Sequence, residues 1–213
     1  TQALLYVPRG LPPPNTPEHT RAVVDLALPV LKASHGRAFM LFTTLRALAT
    51  ARERLTEAIA RDALELAVLV QGDMSKTELL ARFRSTGNAV LLGSASFWEG
   101  VDVAGDALSV VVIDKLPFAP PDDPLLAARL AKLAEAGRNP FMEWQLPQAV
   151  ISLKQGAGRL IRAETDRGVL MLCDPRLVDR PYGRRIWQSL PPMRRAREIA
   201  EVEAFFSRVV QPA

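Results

Sequence analysis

Short, fully apolar runs alternate with longer amphipathic stretches along almost the whole chain. ALLYV, RAFMLF, LAVLV, AVLLGS, LSVVVI and GVLMLC read as β-strands, separated by segments of helical period. These runs are apolar at every position instead of every second one, the mark of a parallel sheet covered on both faces. The pattern therefore predicts an α/β fold: a doubly wound, mainly parallel sheet with helices on both sides. Helices are expected over about Glu18–Ala33 and Thr44–Ala60, and over Lys76–Arg84 behind Ser75 as N-cap. Around residues 115–139 the rhythm changes. A proline-rich elbow, KLPFAPPDDP, leads into an amphipathic helix over about Pro124–Ala136, which reads as an insertion or long crossover within the same domain. The tail from Arg194 to Val210 is expected to be one further helix with Ile199, Val202 and Phe206 on its buried face.

Composition narrows the class. With 213 residues and 48% apolar content the chain suits one α/β domain spanning 1–213. No apolar run reaches the length of a membrane span, and the start, TQALLYVPRG, lacks signal-peptide features, so the expectation is a soluble, cytoplasmic protein. Thr1 is not an initiator methionine, which points to a processed product or a segment of something longer. The single cysteine, Cys173, cannot form an internal disulfide or hold a zinc ion or iron–sulfur cluster by itself, and its apolar setting reads as a small buried residue. His19 and His35 stand in polar contexts at the ends of a predicted helix and suggest neither a triad nor a metal. A net charge of +4, from 27 basic and 23 acidic residues, is a mild bias toward an anionic partner. Basic residues gather after position 150, notably Arg180, Arg184, Arg185, Arg194, Arg195 and Arg197.

Three stretches carry candidate chemistry. In QGAGRLIR, Gln155, Arg159 and Arg162 fall at i, i+4 and i+7 of a helix starting near Pro147, so an amide and two guanidinium groups would share one narrow arc. Paired arginines suit a phosphate whose charge grows in a transition state; a solvated helix face explains the spacing equally well. Gly156 and Gly158, each costing about 1 kcal/mol inside a helix, call for close approach of another backbone or ligand. The second stretch, GSASFWEGVDVAG, follows a strand directly. There Ser94 and Ser96 are placed to donate to phosphates, Glu99 and Asp102 to take a ribose hydroxyl or an arginine, and Trp98 to form a packed wall or a base platform. The third, LFTTLRAL, joins a strand to a helix. Thr43 or Thr44 caps that helix, and its free N–H groups with Arg46 make an anion site, or an ordinary βα turn. No G-x-x-x-x-G-K-[ST] loop and no G-x-G-x-x-G occurs, so the chain lacks the usual cradle for nucleotide phosphates and the dinucleotide fingerprint.

Taken in order, AFMLFTTLRAL, LLGSASFWEGVDV, VVVIDKLPFAPPDDP and LKQGAGRLIRAETDRGVLMLCDPR resemble the second RecA-like motor domain of superfamily 2 DNA helicases. The likeness is to the XPD-like branch that includes the bacterial DinG and YoaA helicases, with the YoaA side nearer, and it covers nearly the whole chain. By that resemblance Arg159 and Arg162 match the motif VI arginines that reach ATP held by the first motor domain, one of them as arginine finger, and Gln155 helps align them. Glu99, Gly100 and Asp102 look like the motif V residues that face the nucleotide, with Ser94 and Ser96 nearer the DNA backbone. Thr43, Thr44 and Arg46 match motif IV, which contacts backbone phosphates of the translocated strand. The resemblance implies ATP and Mg2+ shared with an N-terminal motor half, and a 4Fe-4S cluster within that half; neither the Walker motifs nor the cluster's four cysteines are in this sequence. It further implies DNA repair or replication, nucleoid association in a bacterial cytoplasm, single-stranded or forked DNA as partner, and no ATP hydrolysis by this segment alone. As a different kind of function, the tail RRIWQSLPPMRRAREIA, rich in arginine with Trp187 and Met193, would dock a replication partner such as the chi subunit of DNA polymerase III, or simply pack on its own domain.

Overall fold

A computed structural model describes residues 2–94, 97, 103, 107–119, 123–158, 160 and 166–207. Its elements in chain order are β1 (Ala3–Tyr6), α1 (Pro17–Ala33), β2 (Ala38–Phe42), α2 (Leu45–Arg61), β3 (Ala67–Val70), α3 (Lys76–Thr86), β4 (Ala89–Ser94) and β5 (Val110–Ile113). There follow α4 (Pro124–Glu135), α5 (Leu146–Ala157), β6 (Gly168–Leu172), α6 (Arg176–Asp179), α7 (Gly183–Ser189), β7 (Arg194–Ala196) and α8 (Ile199–Ser207). Every ladder is parallel, and the strands lie in the order β3-β4-β2-β5-β6-β1-β7.

Because side chains alternate across a strand, each apolar run divides itself between two cores. Leu4, Met40, Phe42, Val112 and Met171 meet α1, α2 and α8 on one face, while Leu5, Phe39, Leu41, Val111 and Leu170 meet α3, α5 and α7 on the other. That is why β2, β3, β5 and β6 carry no polar positions. α2 buries Ala47, Leu48, Ala51, Leu55 and Ala58, a stripe at helical spacing that leaves its other side to solvent. Two caps fix where helices begin near the sheet: Thr16 accepts the His19 N–H and Ser75 forms a reciprocal capping box with Glu78.

β2 and β5 are neighbours, yet the chain leaves β2 toward β3 on one side and leaves β5 toward β6 on the other. This is the topological switch point, and the carboxyl ends of such strands diverge to leave a crevice.

Two expectations are corrected. The tail is not one helix: Arg194–Ala196 forms β7, an edge strand paired with β1 in register Leu4↔Arg194 to Tyr6↔Ala196, and α8 begins only at Ile199. An edge strand needs backbone pairing and here one buried side chain, Ala196, so its two exposed arginines gave no periodic signal. α8 then buries Val202 and Phe205, with Ile199 and Phe206 partly covered. The helix holding Gln155 also stops sooner than the arc required. α5 ends at Ala157, with Gly158 as C-cap donating its N–H to the Lys154 carbonyl at 2.8 Å and the Leu160 N–H turning back to Ala157 at 3.1 Å.

Candidate functional site

The carboxyl ends of β2 and β5 open onto a cleft of about 820 Å³ between α1 and α2. Its upper rim consists of Asn15, Thr16, Thr44, Arg46, Asp114 and Lys115, and its lower wall carries Asp25, Glu53, Arg54 and Glu57. Below the rim Arg54 is already paired, forked onto Asp25 at 2.8 and 3.0 Å. Among the described residues the Arg46 side chain makes no hydrogen bond or ion pair, and it is exposed. Lys115 reaches the Asn15 side-chain oxygen.

The sequence left open which threonine caps α2, and the structure separates their roles. Thr44 is the N-cap, accepting the Ala47 N–H at 3.1 Å, so the preceding amides of Leu45 and Arg46 head the helix without that partner. Thr43 instead turns inward: its N–H (3.2 Å) and hydroxyl (3.4 Å) both donate to the Asp114 carboxylate. The result is a helix N-terminus, a guanidinium and an ammonium at one sheet edge, an arrangement able to hold the phosphates of an extended anion.

Sequence reasoning missed Asp114, although it stands at a strand's carboxyl end in VVVIDK. It is 2% exposed and also accepts the Lys115 N–H at 2.7 Å. Burial pushes its carboxyl up to about 6, against the opposing pull of Lys115, the amides of Thr43 and Lys115, and His19. His19 was read as a polar-context histidine; it is 1% exposed, with Nδ1 at 3.0 Å from the Pro12 carbonyl and Nε2 at 2.9 Å from the Asp114 carbonyl. One ring thereby ties the start of α1 to the end of β5. A second missed pair lies one strand over: Asp174 accepts the Leu116 N–H at 2.7 Å and holds Arg176, whose guanidinium stacks over Phe118. Cys173, beside them, is fully buried, and burial raises its thiol pKa well above the ordinary value. It is an inert core residue.

Of the other predicted residues that the structure describes, Ser94 and Gln155 do not line this cleft. Ser94 is buried at the end of β4, paired with Phe42, and its N–H donates to Gln71 Oε1 at 2.7 Å. Gln155 is exposed in the last turn of α5, on the opposite face of the sheet from α1 and α2. Past it, Leu160 returns to the amino edge, where a Cβ on Gly168 would lie 2.5 Å from Leu160 Cδ1 and 2.9 Å from the Ser109 carbonyl. A close approach of this kind is seen at Gly168, whereas around Gly158 the nearest atoms are carbonyls of its own helix, at 3.2 and 3.8 Å. Arg159, Arg162, Ser96, Trp98, Glu99, Gly100 and Asp102 lie outside the described residues.

Among the described residues no three His, Cys, Asp or Glu side chains converge to hold a metal, and no helix is long and apolar enough to cross a membrane. A parallel sheet in this order, with its open cleft at the switch point, is the RecA-like fold. A solved XPD helicase matches it at a TM-score of 0.70 over 92% of this chain and 35% of that one, at 20% identity. Dbp5 of Saccharomyces cerevisiae, bound to RNA and ADP BeF3, matches at 0.56 over 97% and 44%, at 18% identity. In sequence, residues 27–193 match the helicase C-terminal domain family, and the chain belongs to it. It is 51% identical over 206 residues to the ATP-dependent DNA helicase YoaA of Escherichia coli (strain K12), covering 97% of this chain and 32% of that protein. It is 38% identical over 213 residues to the ATP-dependent helicase DinG of Mycobacterium tuberculosis (strain ATCC 25177 / H37Ra), covering 98% and 31%. The chain spans about a third of the length of these curated relatives.

Proposed function

We propose that this chain is the C-terminal motor half of an ATP-dependent DNA helicase acting in DNA repair or replication. The observation that carries the reading is the family match over residues 27–193, joined to 51% identity with a protein named as such a helicase. In this reading the rim of the cleft, with Thr43, Thr44 and Arg46, tracks the backbone of single-stranded DNA, and Ser94 and Ser96 serve the same backbone. Arg159 and Arg162, aligned by Gln155, complete an ATP site whose phosphates and Mg2+ are held by an N-terminal motor half, with Glu99, Gly100 and Asp102 coupling the two sites. The residues described here do not fit a magnesium pocket or an iron–sulfur cluster, so both groups are assigned to that other half. Two measurements test the reading. The 213-residue chain should show no ATP turnover alone and should bind an oligothymidylate in a salt-dependent way; turnover abolished by Arg159→Ala in this chain, or absence of DNA binding at low salt, overturns it.

A second reading concerns assembly. The indole of Trp187 donates to the Leu177 carbonyl at 2.9 Å, lies under the Arg195 guanidinium, and lines a groove of about 340 Å³ with Leu190, Pro191 and Met193. An aromatic anchor beside exposed arginines favours docking of a replication partner such as the DNA polymerase III chi subunit. Capture of chi by the chain should weaken on reversing charge at Arg194 and Arg195; unchanged capture leaves β7 with only its sheet-edge role.

A further inference from the structure

We infer that Asp114 is a positioning residue for the cleft: its ionised carboxylate fixes the Thr43–Thr44 turn so that the α2 N-terminus and Arg46 face a phosphate, and protonation releases that turn. The inference rests on the reading of the cleft as a DNA-backbone site.

The geometry supplies the reason. Oδ1 receives the N–H groups of Thr43 and Lys115, at 3.2 and 2.7 Å, and Oδ2 receives the Thr43 hydroxyl at 3.4 Å. All three neighbours donate, which suits a carboxylate and not a carboxylic acid. With Oδ1 taken by two amides, a proton arriving on Asp114 goes to Oδ2, where it meets the Thr43 hydroxyl as a second donor. The hydroxyl must then rotate to accept, or the contact breaks, and the turn that starts α2 loses one of its two links to β5. The other charged groups around Asp114 come from every element packed on it: His19 from α1, Lys115 from its own loop, and Cys173, Asp174 and Arg176 from the end of β6 and the start of α6. His19 reinforces the arrangement. Its two ring nitrogens lie 3.0 and 2.9 Å from the Pro12 and Asp114 carbonyl oxygens, so the ring ties the start of α1 to the Asp114 backbone and holds that residue in place at the end of β5. Burial opposes the Asp114 charge and brings the carboxyl to about 6, so the anchor switches within a range a cell can reach.

The test is fluorescence anisotropy of a labelled oligothymidylate with the 213-residue chain, at fixed low ionic strength, from about pH 8 down to about pH 5. Acidification ordinarily strengthens polyanion binding by a basic protein; the expected result here is the opposite, a loss of about tenfold centred near pH 6, the worth of one charge-assisted contact. Asp114→Asn should bind about tenfold more weakly already at pH 8, show no acid inflection, and melt no lower than the parent chain. Affinity that holds or rises at low pH in the parent chain overturns the inference, as does parental affinity in Asp114→Asn. Should that variant fail to fold, Thr43→Val, which deletes only the Oδ2 contact, must flatten the inflection. Arg46→Ala separates the two layers: unchanged binding in Arg46→Ala removes the cleft reading itself, whereas weakened binding there with no acid inflection in the parent chain removes only the role of Asp114.

Discussion

The two edges of the sheet hold their polar residues by different means. At the carboxyl edge, Thr43, Asp114 and His19 are locked in one buried hydrogen-bonded set drawn from β2, β5 and α1, and Arg46 and Lys115 project from it. At the amino edge, the end of α5 is placed by apolar contact: Leu160 sits against Gly168, and Gln155 stands free in the last turn. A buried polar set has one geometry and a titratable charge; a leucine against a glycine has only shape. The first edge should therefore respond to pH and salt, the second to volume.

The largest expected effect belongs to the arginines of the QGAGRLIR stretch. In a chain that carries both motor halves, Arg159→Ala or Arg162→Ala should lower ATP turnover by about three orders of magnitude while leaving the melting temperature unchanged. Near-normal turnover in steady-state ATPase assays would erase the role proposed for those arginines. Next comes the charge at the carboxyl edge. The folded pKa of Asp114, about 6, lies above the ordinary 3.8, so its contribution to stability is complete below about pH 4 and is lost as pH rises through 6. That slope is worth on the order of 3 kcal/mol. Urea melts should show the slope in the parent chain and not in Asp114→Asn; equal slopes would place the titrating group elsewhere.

Gly168→Ala should cost about 1–3 kcal/mol, because the added methyl meets Leu160 and the Ser109 carbonyl. Leu160→Ala in the same chain should return part of that loss, and a glycine variant as stable as the parent would show the contact to be slack. Arg46→Ala should weaken oligothymidylate binding several-fold and reduce its salt dependence by about one counterion, without moving the melt. The smallest effect is a control: Ser75→Ala, which removes the capping box of α3, should cost about 1 kcal/mol and leave DNA binding alone. A change in binding there would mean that any helix start on this edge matters, and that the cleft is nothing special.

Much of the fold was legible beforehand, for definite reasons. Five strands are buried at every position and β3 over half its length, so all six appear as largely apolar runs, while α1, α2, α3 and α4 show both a periodic stripe and a capping residue. β7 escaped because backbone pairing at a sheet edge leaves no mark on side-chain pattern, and the end of α5 escaped because Gly158 permits a helix to stop as readily as to continue. In the site, Thr44 and Arg46 could be picked out because helix starts after strands have a local signature. Asp114 and His19 could not, since they are 95 residues apart and each looks ordinary in its own neighbourhood.

By itself, then, the sequence determined what depends on neighbours along the chain: a parallel sheet with covered faces, the helix starts, and the ordered motifs that mark a helicase C-terminal domain. Only the tertiary structure decided which strands lie side by side. The order β4-β2-β5 puts the end of VVVID against the end of AFMLF and turns a lone aspartate into the anchor of the Thr43–Thr44 turn. The physical reason is range: capping and periodicity act over a few residues, whereas burial of a charge and convergence of donors depend on packing that joins segments far apart in the chain.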